Sequence, residues 1–158
     1  MTEEGLLPSD FSIRRWSTPE RLDEILAVVH ASFAGFEPPS GVLREDLAHL
    51  TARFAEETFV VALAGETIIG SVFCARKGDA LYLTRMAVAS AWRKRGVGRG
   101  LMQGAEEEAR RAGAKRLTLR VRKNLPGNRA YFARFGFVVT GEGQDAGRPP
   151  YDAMERAL

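Results

Sequence analysis

The amino-acid sequence predicts a mixed α/β (α+β) domain, in which a central sheet of about seven strands carries helices on both faces. Segments with the two-residue alternation typical of strands are interleaved with segments of helical spacing along the chain. The chain has 158 residues, of which 45% are hydrophobic and 27% are charged. These values are typical of a globular protein with one domain and its own core.

The first half of the chain predicts one strand, two helices and an antiparallel meander. We expect residues 1–9 to form a flexible tail and residues 10–158 to form the domain. Ser17 to Glu20 indicate a helix start, since a capping hydroxyl is followed by an early proline. The predicted elements are a strand at 11–16, a helix ending at 33, a loop at 35–41, a helix at 42–56, and strands at 58–63, 67–75 and 80–88.

The second half predicts a glycine-rich turn, two helices and three strands. Gly113 ends the longer helix and Gly136 ends the shorter one. The strand–helix–strand unit from Leu81 to Val121 should be parallel with a right-handed crossover. The remaining predicted elements are a strand at 115–121, a helix at 128–135, a strand at 137–139, a polar loop at 141–150 and a strand at 151–158.

The turn between the fourth strand and the following helix has the composition of a phosphate site. Glycines let the backbone approach a ligand closely, and the first N–H groups of a helix have no partner within the helix. The helix dipole and nearby cations favour an anion at the same place. The residues of this turn are Arg93, Lys94, Arg95, Gly96, Val97, Gly98, Arg99 and Gly100. The sequence therefore predicts a pyrophosphate cradle.

Composition and residue spacing limit the classes of protein to which this chain could belong. No apolar run approaches the ~20 residues of a membrane span, and the N-terminus lacks a signal-peptide pattern. The single cysteine, Cys74, indicates a reducing cytoplasm, and the two histidines have no metal-ligand spacing. The net charge of +3 fits an anionic small ligand as well as nucleic acid. We interpret Cys74 as a small buried hydrophobe rather than a nucleophile.

The segment from Val88 to Gly100 resembles the GCN5-related N-acetyltransferase (GNAT) superfamily. The signature Arg/Gln-x-x-Gly-x-Gly/Ala stands here as Arg93 to Gly98, and a second frame from Arg95 to Gly100 also fits the letters. The first frame is preferred because Val88 and Trp92 then match the family lead-in, with Ser90 in place of proline. Downstream, Asn124 and the run Asn128–Phe137 resemble the family's Asn…Ala…Tyr…Gly-Phe segment.

This resemblance implies that the protein binds acetyl-CoA or another acyl-CoA as co-substrate, without a metal. It implies that Arg93, Lys94 and the turn from Arg95 to Gly100 hold the pyrophosphate. It further implies that the backbone of Met86, Ala87 and Val88 pairs with the pantetheine arm, and that Asn124 orients that arm or the departing thiol. The implied reaction is direct acetyl transfer to a primary amine, with a backbone N–H near Val88 polarising the carbonyl.

The sequence departs from the family at positions where the family often has catalytic residues. The family often has a tyrosine acid where Phe132 stands and a glutamate where Thr84 and Arg85 stand. Tyr131, one residue earlier, is therefore the candidate acid, and the other interpretation is a tyrosine packed in the core. Carboxylates that could serve a water-mediated base are Glu37, Asp46 and Glu57. The acceptor, a small molecule or peptide, is not specified, and the family suggests a homodimer.

Three other functions stay open. A catalytically weak acyl-CoA-binding sensor of the same fold would explain Phe132 and Thr84. A dinucleotide-binding domain is disfavoured because Gly96-x-Gly98-x-Gly100 is not Gly-x-Gly-x-x-Gly. A nucleic-acid binder using residues 110–123 is disfavoured because the cations there alternate with core positions.

Overall fold

Seven strands form one mixed sheet in this protein, for which a computed structural model describes residues 10–158. The strands are β1 (Ser12–Arg15), β2 (Thr58–Ala64), β3 (Thr67–Lys77), β4 (Ala80–Val88), β5 (Arg116–Arg122), β6 (Val138–Gly143) and β7 (Tyr151–Ala157). Their spatial order is β1-β2-β3-β4-β5-β7-β6. Among the strands of residues 10–158, β4 and β5 form the one parallel pair, as predicted for the strand–helix–strand unit. The predicted tail, residues 1–9, lies outside the described residues.

Four α-helices cover the two faces of the sheet. They are α1 (Leu22–Phe33), α2 (Leu47–Glu56), α3 (Val97–Arg111) and α4 (Pro126–Ala133), with 3₁₀ turns at Gly41–Arg44 and Ser90–Trp92. The predicted fold class, a mixed sheet flanked by helices on both faces, is confirmed. Within residues 10–158, no helix has the length and apolar character needed to cross a membrane.

The side chains of each central strand alternate between two hydrophobic cores. In β2, Val60 and Ala62 join the core beneath α3, whereas Phe59 and Val61 join the core beneath α1 and α2. These four residues are at most 1% exposed. Because α3 and α4 lie on one face and α1 and α2 on the other, the ends of β4 and β5 stand between two packed layers.

The second predicted helix is broken, which corrects the range 42–56. Gly41–Arg44 forms a 3₁₀ turn, and α2 begins only at Leu47. Asp46 caps α2 by accepting a hydrogen bond from the N–H of His49 at 3.0 Å, and the His49 ring accepts from the N–H of Asp46. This reciprocal cap starts a new helix where helical spacing alone suggested continuity. Leu43 and Leu47, which the helical spacing places on one face with Leu50, are 37% and 48% exposed.

Three further boundaries differ from prediction. Helix α1 has no hydroxyl cap, because Arg21 at φ 63° precedes it and the Thr18 hydroxyl accepts instead from the N–H of Glu20. Helix α4 begins two residues early, at Pro126, a residue suited to a first helical turn. Strand β6 extends to Gly143 because that residue pairs with Tyr151, so the connecting loop shortens to residues 144–150.

Candidate active site

Strands β4 and β5 pair for only part of their length. Residues 80–82 of β4 pair with residues 116–118 of β5. Beyond this point β4 continues to Val88 and β5 to Arg122 without further pairing between them. The facing edges therefore present backbone donors and acceptors to a gap. An extended ligand arm with amide groups can occupy such a gap as an added strand.

The backbone of Val88 faces this gap. The N–H of Ala89 donates to the carbonyl of Ile69 at 2.8 Å, and Gly70 is the register partner of Val88. In an antiparallel ladder this pattern makes Gly70 and Val88 a pair without mutual hydrogen bonds. The N–H and C=O of Val88 therefore point away from β3 and toward β5. The carbonyl accepts a hydrogen bond from the hydroxyl of Ser32 at 3.3 Å.

The glycine turn, residues 93–100, connects the end of β4 to α3. Lys94 has φ 61° and Gly96 has φ 87°, both in the left-handed region, and no side chain caps the helix that begins at Val97. The first N–H groups of α3 are therefore available to an anion, and the helix dipole adds positive charge there. The exposed cations of the turn are Arg93, Lys94, Arg95 and Arg99.

The glycine turn is held close to the end of β4. Trp92 is 4% exposed, and the guanidinium of Arg95 lies 4.2 Å from the centre of its ring. A Cβ at Gly70 would lie 2.9 Å from the carbonyl oxygen of Ala87 and 3.3 Å from a methyl group of Val97. The space beside Gly70 of β3 is therefore bordered by both the end of β4 and the first residue of α3, which places the turn next to the end of β4.

Tyr131, the candidate acid, lies over the start of α3. A Cβ added at Gly98 would overlap the tyrosine hydroxyl, so this oxygen rests directly against the glycine. The half-buried ring packs edge-to-face with Phe132 and Phe135, at centroid distances of 5.1 and 5.2 Å. Burial raises the pKa of Tyr131 above its usual value, and the charges of nearby arginines only partly oppose this. The phenol is therefore protonated at neutral pH and has a proton to donate.

Asn124 binds the loop that precedes the first 3₁₀ turn. Its side-chain N–H donates to the carbonyl of Glu37 at 3.0 Å. Two residues earlier, Arg122 donates to the carbonyl of Pro38 at 2.7 Å. The end of β5 thus fixes residues 37–38 across the mouth of the gap.

An ion-paired network lies beside the gap, where the family often has a catalytic glutamate. Arg85 has φ 55° at a bulge in β4, and its guanidinium binds both carboxylate oxygens of Glu45 at 3.0 and 2.6 Å. Arg53 binds Glu57 at 2.9 Å and the hydroxyl of Thr84 at 2.6 Å. Burial raises the pKa of Glu45, but the hydrogen bonds and charge of Arg85 outweigh this and lower it.

The three carboxylates considered for a water-mediated base have different surroundings. Asp46 caps α2, and Glu57 is held by Arg53 on both oxygens. Glu37 is exposed, and its backbone carbonyl holds Asn124. Two of the three are therefore engaged in structural contacts.

Ser32, Glu45 and Arg122 contact or border the site and were missed by sequence reasoning. Ser32 lies on the last turn of α1, where a single serine produces no recognisable sequence pattern. Glu45 precedes the cap of α2, so its position beside Arg85 depends on the break before that helix. Arg122 ends an alternating strand and was predicted only as part of a basic stretch. Their roles depend on tertiary contacts, which spacing along the chain does not encode.

Cys74 is part of the core rather than of the gap. It is 2% exposed and joins the cluster beneath α3. Burial raises the pKa of its thiol to about 12, with a smaller contribution from Glu108. The interpretation of Cys74 as a small buried hydrophobe is confirmed.

The described residues thus form a split sheet with an uncapped glycine turn at the end of its fourth strand. The model of the acetyltransferase (GNAT) family matches residues 22–137. This match covers most of the sequence, so the chain belongs to the GNAT acetyltransferase family, and the predicted resemblance is confirmed. A comparison with curated protein sequences finds no match.

Solved structures with the same fold include several acetyltransferases. Ard1 from Thermoplasma volcanium has a TM-score of 0.80 at 19% identity, with 94% of this chain and 97% of that chain covered. The PaiA N-acetyltransferase from Thermoplasma acidophilum, solved in complex with coenzyme A, gives 0.78 at 19%, covering 94% and 99%. The ribosomal-protein-S18-alanine N-acetyltransferase from Escherichia coli gives 0.73 at 17%, covering 94% of each chain. At these identities the likeness concerns the fold.

Proposed function

We propose that this protein transfers an acetyl group from acetyl-CoA, or a related acyl group, to a primary amine of an acceptor. One observation carries the proposal: a gap between β4 and β5, bordered by the outward-facing N–H of Val88, lies next to an uncapped helix start in a cationic glycine turn. A molecule that joins a pyrophosphate to an amide-containing arm and a thioester has matching chemistry at each of these places.

The residues present fit an acyl-CoA. The N–H groups at the start of α3 and the side chains of Arg93 and Lys94 would bind the pyrophosphate. The backbone of residues 86–88 would pair with the pantetheine amides. PaiA, a protein of the same fold, was solved in complex with coenzyme A, and this supports the assignment. When bound, acetyl-CoA supplies a thioester whose carbonyl carbon accepts an amine.

The residues around the gap would stabilise the negative charge that develops on the carbonyl oxygen and would supply a proton to the departing thiolate. The N–H of Val88 points to where a carbonyl oxygen would acquire negative charge as the amine nitrogen bonds to carbon. The carbon–sulfur bond would then break, and Tyr131 is the group that would give a proton to the departing thiolate and recover one from solvent. Its hydroxyl would have to move from Gly98 toward the gap. The amine gives up its proton to water, through a base that we leave unassigned.

The experiment is a turnover assay with acetyl-CoA and a panel of primary amines, in which released thiol is measured. We expect thiol release that depends on one class of amine, and an acetylated amine confirmed by mass. Acetyl-CoA binding without turnover on any amine would instead favour the acyl-CoA sensor. A cytoplasmic location and a homodimer stay predictions.

A further inference from the structure

Three arginines contact the loop at residues 36–41 or the start of β7, on the side of the sheet that faces α1 and α2. Arg120 and Arg122 project from β5 opposite Leu119 and Val121, which are buried beneath α3. On this face α1 packs on β3 and β4, whereas the loop at residues 36–38 lies against Arg122 of β5. Arg148, from the loop between β6 and β7, is the third member. We call these three residues the arginine cluster.

Each guanidinium of the cluster has at least one uncharged neighbour that positions it. Arg122 donates to the carbonyl of Pro38 at 2.7 Å and lies 5.5 Å from the ring centre of Phe36. Arg148 lies flat against Gly41, since a Cβ there would be 2.9 to 3.3 Å from the guanidinium atoms. Arg120 lies 4.4 Å from the ring centre of Tyr151. Carbonyl and aromatic contacts fix the groups without neutralising them.

The cluster therefore keeps most of its positive charge. Within residues 10–158, the ion pair of the cluster is between Arg120 and Asp145 at 3.6 Å, and both side chains are about half exposed. No carboxylate of that described part forms an ion pair with Arg122 or Arg148. Within the described residues the cluster thus has three guanidinium groups and one ion-paired carboxylate, and the exposed Glu37 lies in the loop that Arg122 holds.

The neighbouring ion network shows the opposite arrangement. Arg85 and Arg53 are each held by a carboxylate, from Glu45 and Glu57, and each of the four side chains is at most 21% exposed. That network is neutral and closed. In the cluster, by contrast, Arg120 and Arg148 are exposed and Arg122 is half-buried, and planar guanidinium groups with access to solvent suit an exchangeable carboxylate.

From this we infer that the acceptor is an amine that also carries a carboxylate, and that the arginine cluster, with Arg122 at its centre, binds this carboxylate. Arg122 lies on the strand that forms the second edge of the gap, so a carboxylate bound there leaves the amine of the same small molecule directed toward Val88. The inference rests on the proposed function and narrows its acceptor from primary amines in general to amino-acid-like amines.

The test is calorimetric titration of the full chain, with and without saturating CoA, using two probes that differ only in charge. The probes are N-acetyl-L-phenylalanine and N-acetyl-L-phenylalaninamide. We expect the acid to bind about ten- to a hundredfold more tightly than the amide, as one charged hydrogen-bonded pair provides. Arg122→Gln should remove this preference, and Arg122→Lys should retain part of it. Arg14→Gln, on β1 at the opposite edge of the sheet, is the control with the same charge change.

Several results would overturn the inference. Equal binding of acid and amide by the unmodified protein would do so, as would absence of binding of the acid at millimolar concentration. An Arg122→Gln variant that loses acid and amide alike would show that this arginine only holds the loop at Pro38. Failure of the proposed function is distinct, since it would appear as absence of CoA binding in the same calorimeter or as absence of turnover in the amine assay.

Discussion

The geometry of the glycine turn predicts how substitutions at Gly98 affect stability and acetyl-CoA binding. A Cβ at this position would overlap the hydroxyl oxygen of Tyr131 but would lie 3.4 Å from the ring carbon that bears it, an ordinary contact. Gly98→Ala should therefore be harmful only while the hydroxyl is present, and Tyr131→Phe should relieve the overlap. Gly98→Val is different, because its methyl groups extend into the place proposed for the pyrophosphate whatever residue 131 is.

The expected magnitudes follow from the steric overlap and the phosphate hydrogen bonds at this position. Overpacking costs about 1 to 3 kcal/mol, so Gly98→Ala should lower the free energy of unfolding by roughly that amount in the native background only. Gly98→Val should remove about two hydrogen bonds to a charged phosphate, worth about 1.5 to 3 kcal/mol each. This corresponds to roughly two to four orders of magnitude in the Kd of acetyl-CoA.

The assay combines chemical denaturation with acetyl-CoA titration for Gly98→Ala and Gly98→Val, each with Tyr or Phe at position 131. Gly127→Ala is the matched control, since nothing lies within 4 Å of a Cβ there. A folded Gly98→Val, Tyr131→Phe protein with unchanged affinity for acetyl-CoA would refute the pyrophosphate assignment. An affinity lost only in the tyrosine background would assign the effect to Tyr131.

Three further predictions concern the acid, the ion network and the thiol. Tyr131→Phe should slow acetyl transfer about 10²-fold or more with CoA affinity intact, and a native rate would remove Tyr131 as the acid. Glu45→Gln should lower the free energy of unfolding by about 1 to 3 kcal/mol at pH 7, because Arg85 loses its partner. Since the pKa of Glu45 is lowered on folding, its stabilisation is present above its unfolded pKa and is lost as pH falls through the folded value, so the stabilities of the two proteins should converge as urea titrations are carried to lower pH. Cys74, with a pKa of about 12 and 2% exposure, should not react with a thiol reagent at pH 8 until the protein is unfolded; rapid labelling of folded protein would contradict its burial.

The fold could be predicted from the sequence because the spacing of hydrophobic residues along a strand or helix directly reflects which side chains are buried. Alternation in β5 and helical spacing in α3 match the buried positions Leu117, Leu119, Leu101 and Ala105. Prediction failed where a local polar contact overrode periodicity. The break before α2 depends on the reciprocal bond between Asp46 and His49, and a run of helical spacing does not distinguish it from a continuous helix.

The site was predictable only in part. The glycine turn and the residues of β4 occur as consecutive letters, so their proximity follows from the chain itself. The direction of the Val88 N–H needed the register of β3 against β4. The contact of Arg122 with Pro38 joins residues 84 positions apart. Contacts of this kind are set by packing between layers, and a single sequence does not contain them as a pattern.

Calorimetric titration of the purified protein with acetyl-CoA, CoA, NADPH and a short DNA duplex tests the proposed acyl-CoA site most directly. We expect saturable binding of acetyl-CoA and CoA at one site per chain, with no binding of NADPH or DNA at moderate salt. Absence of acetyl-CoA binding by a folded protein would contradict the proposed function, because the glycine turn and the gap between β4 and β5 would then have another purpose.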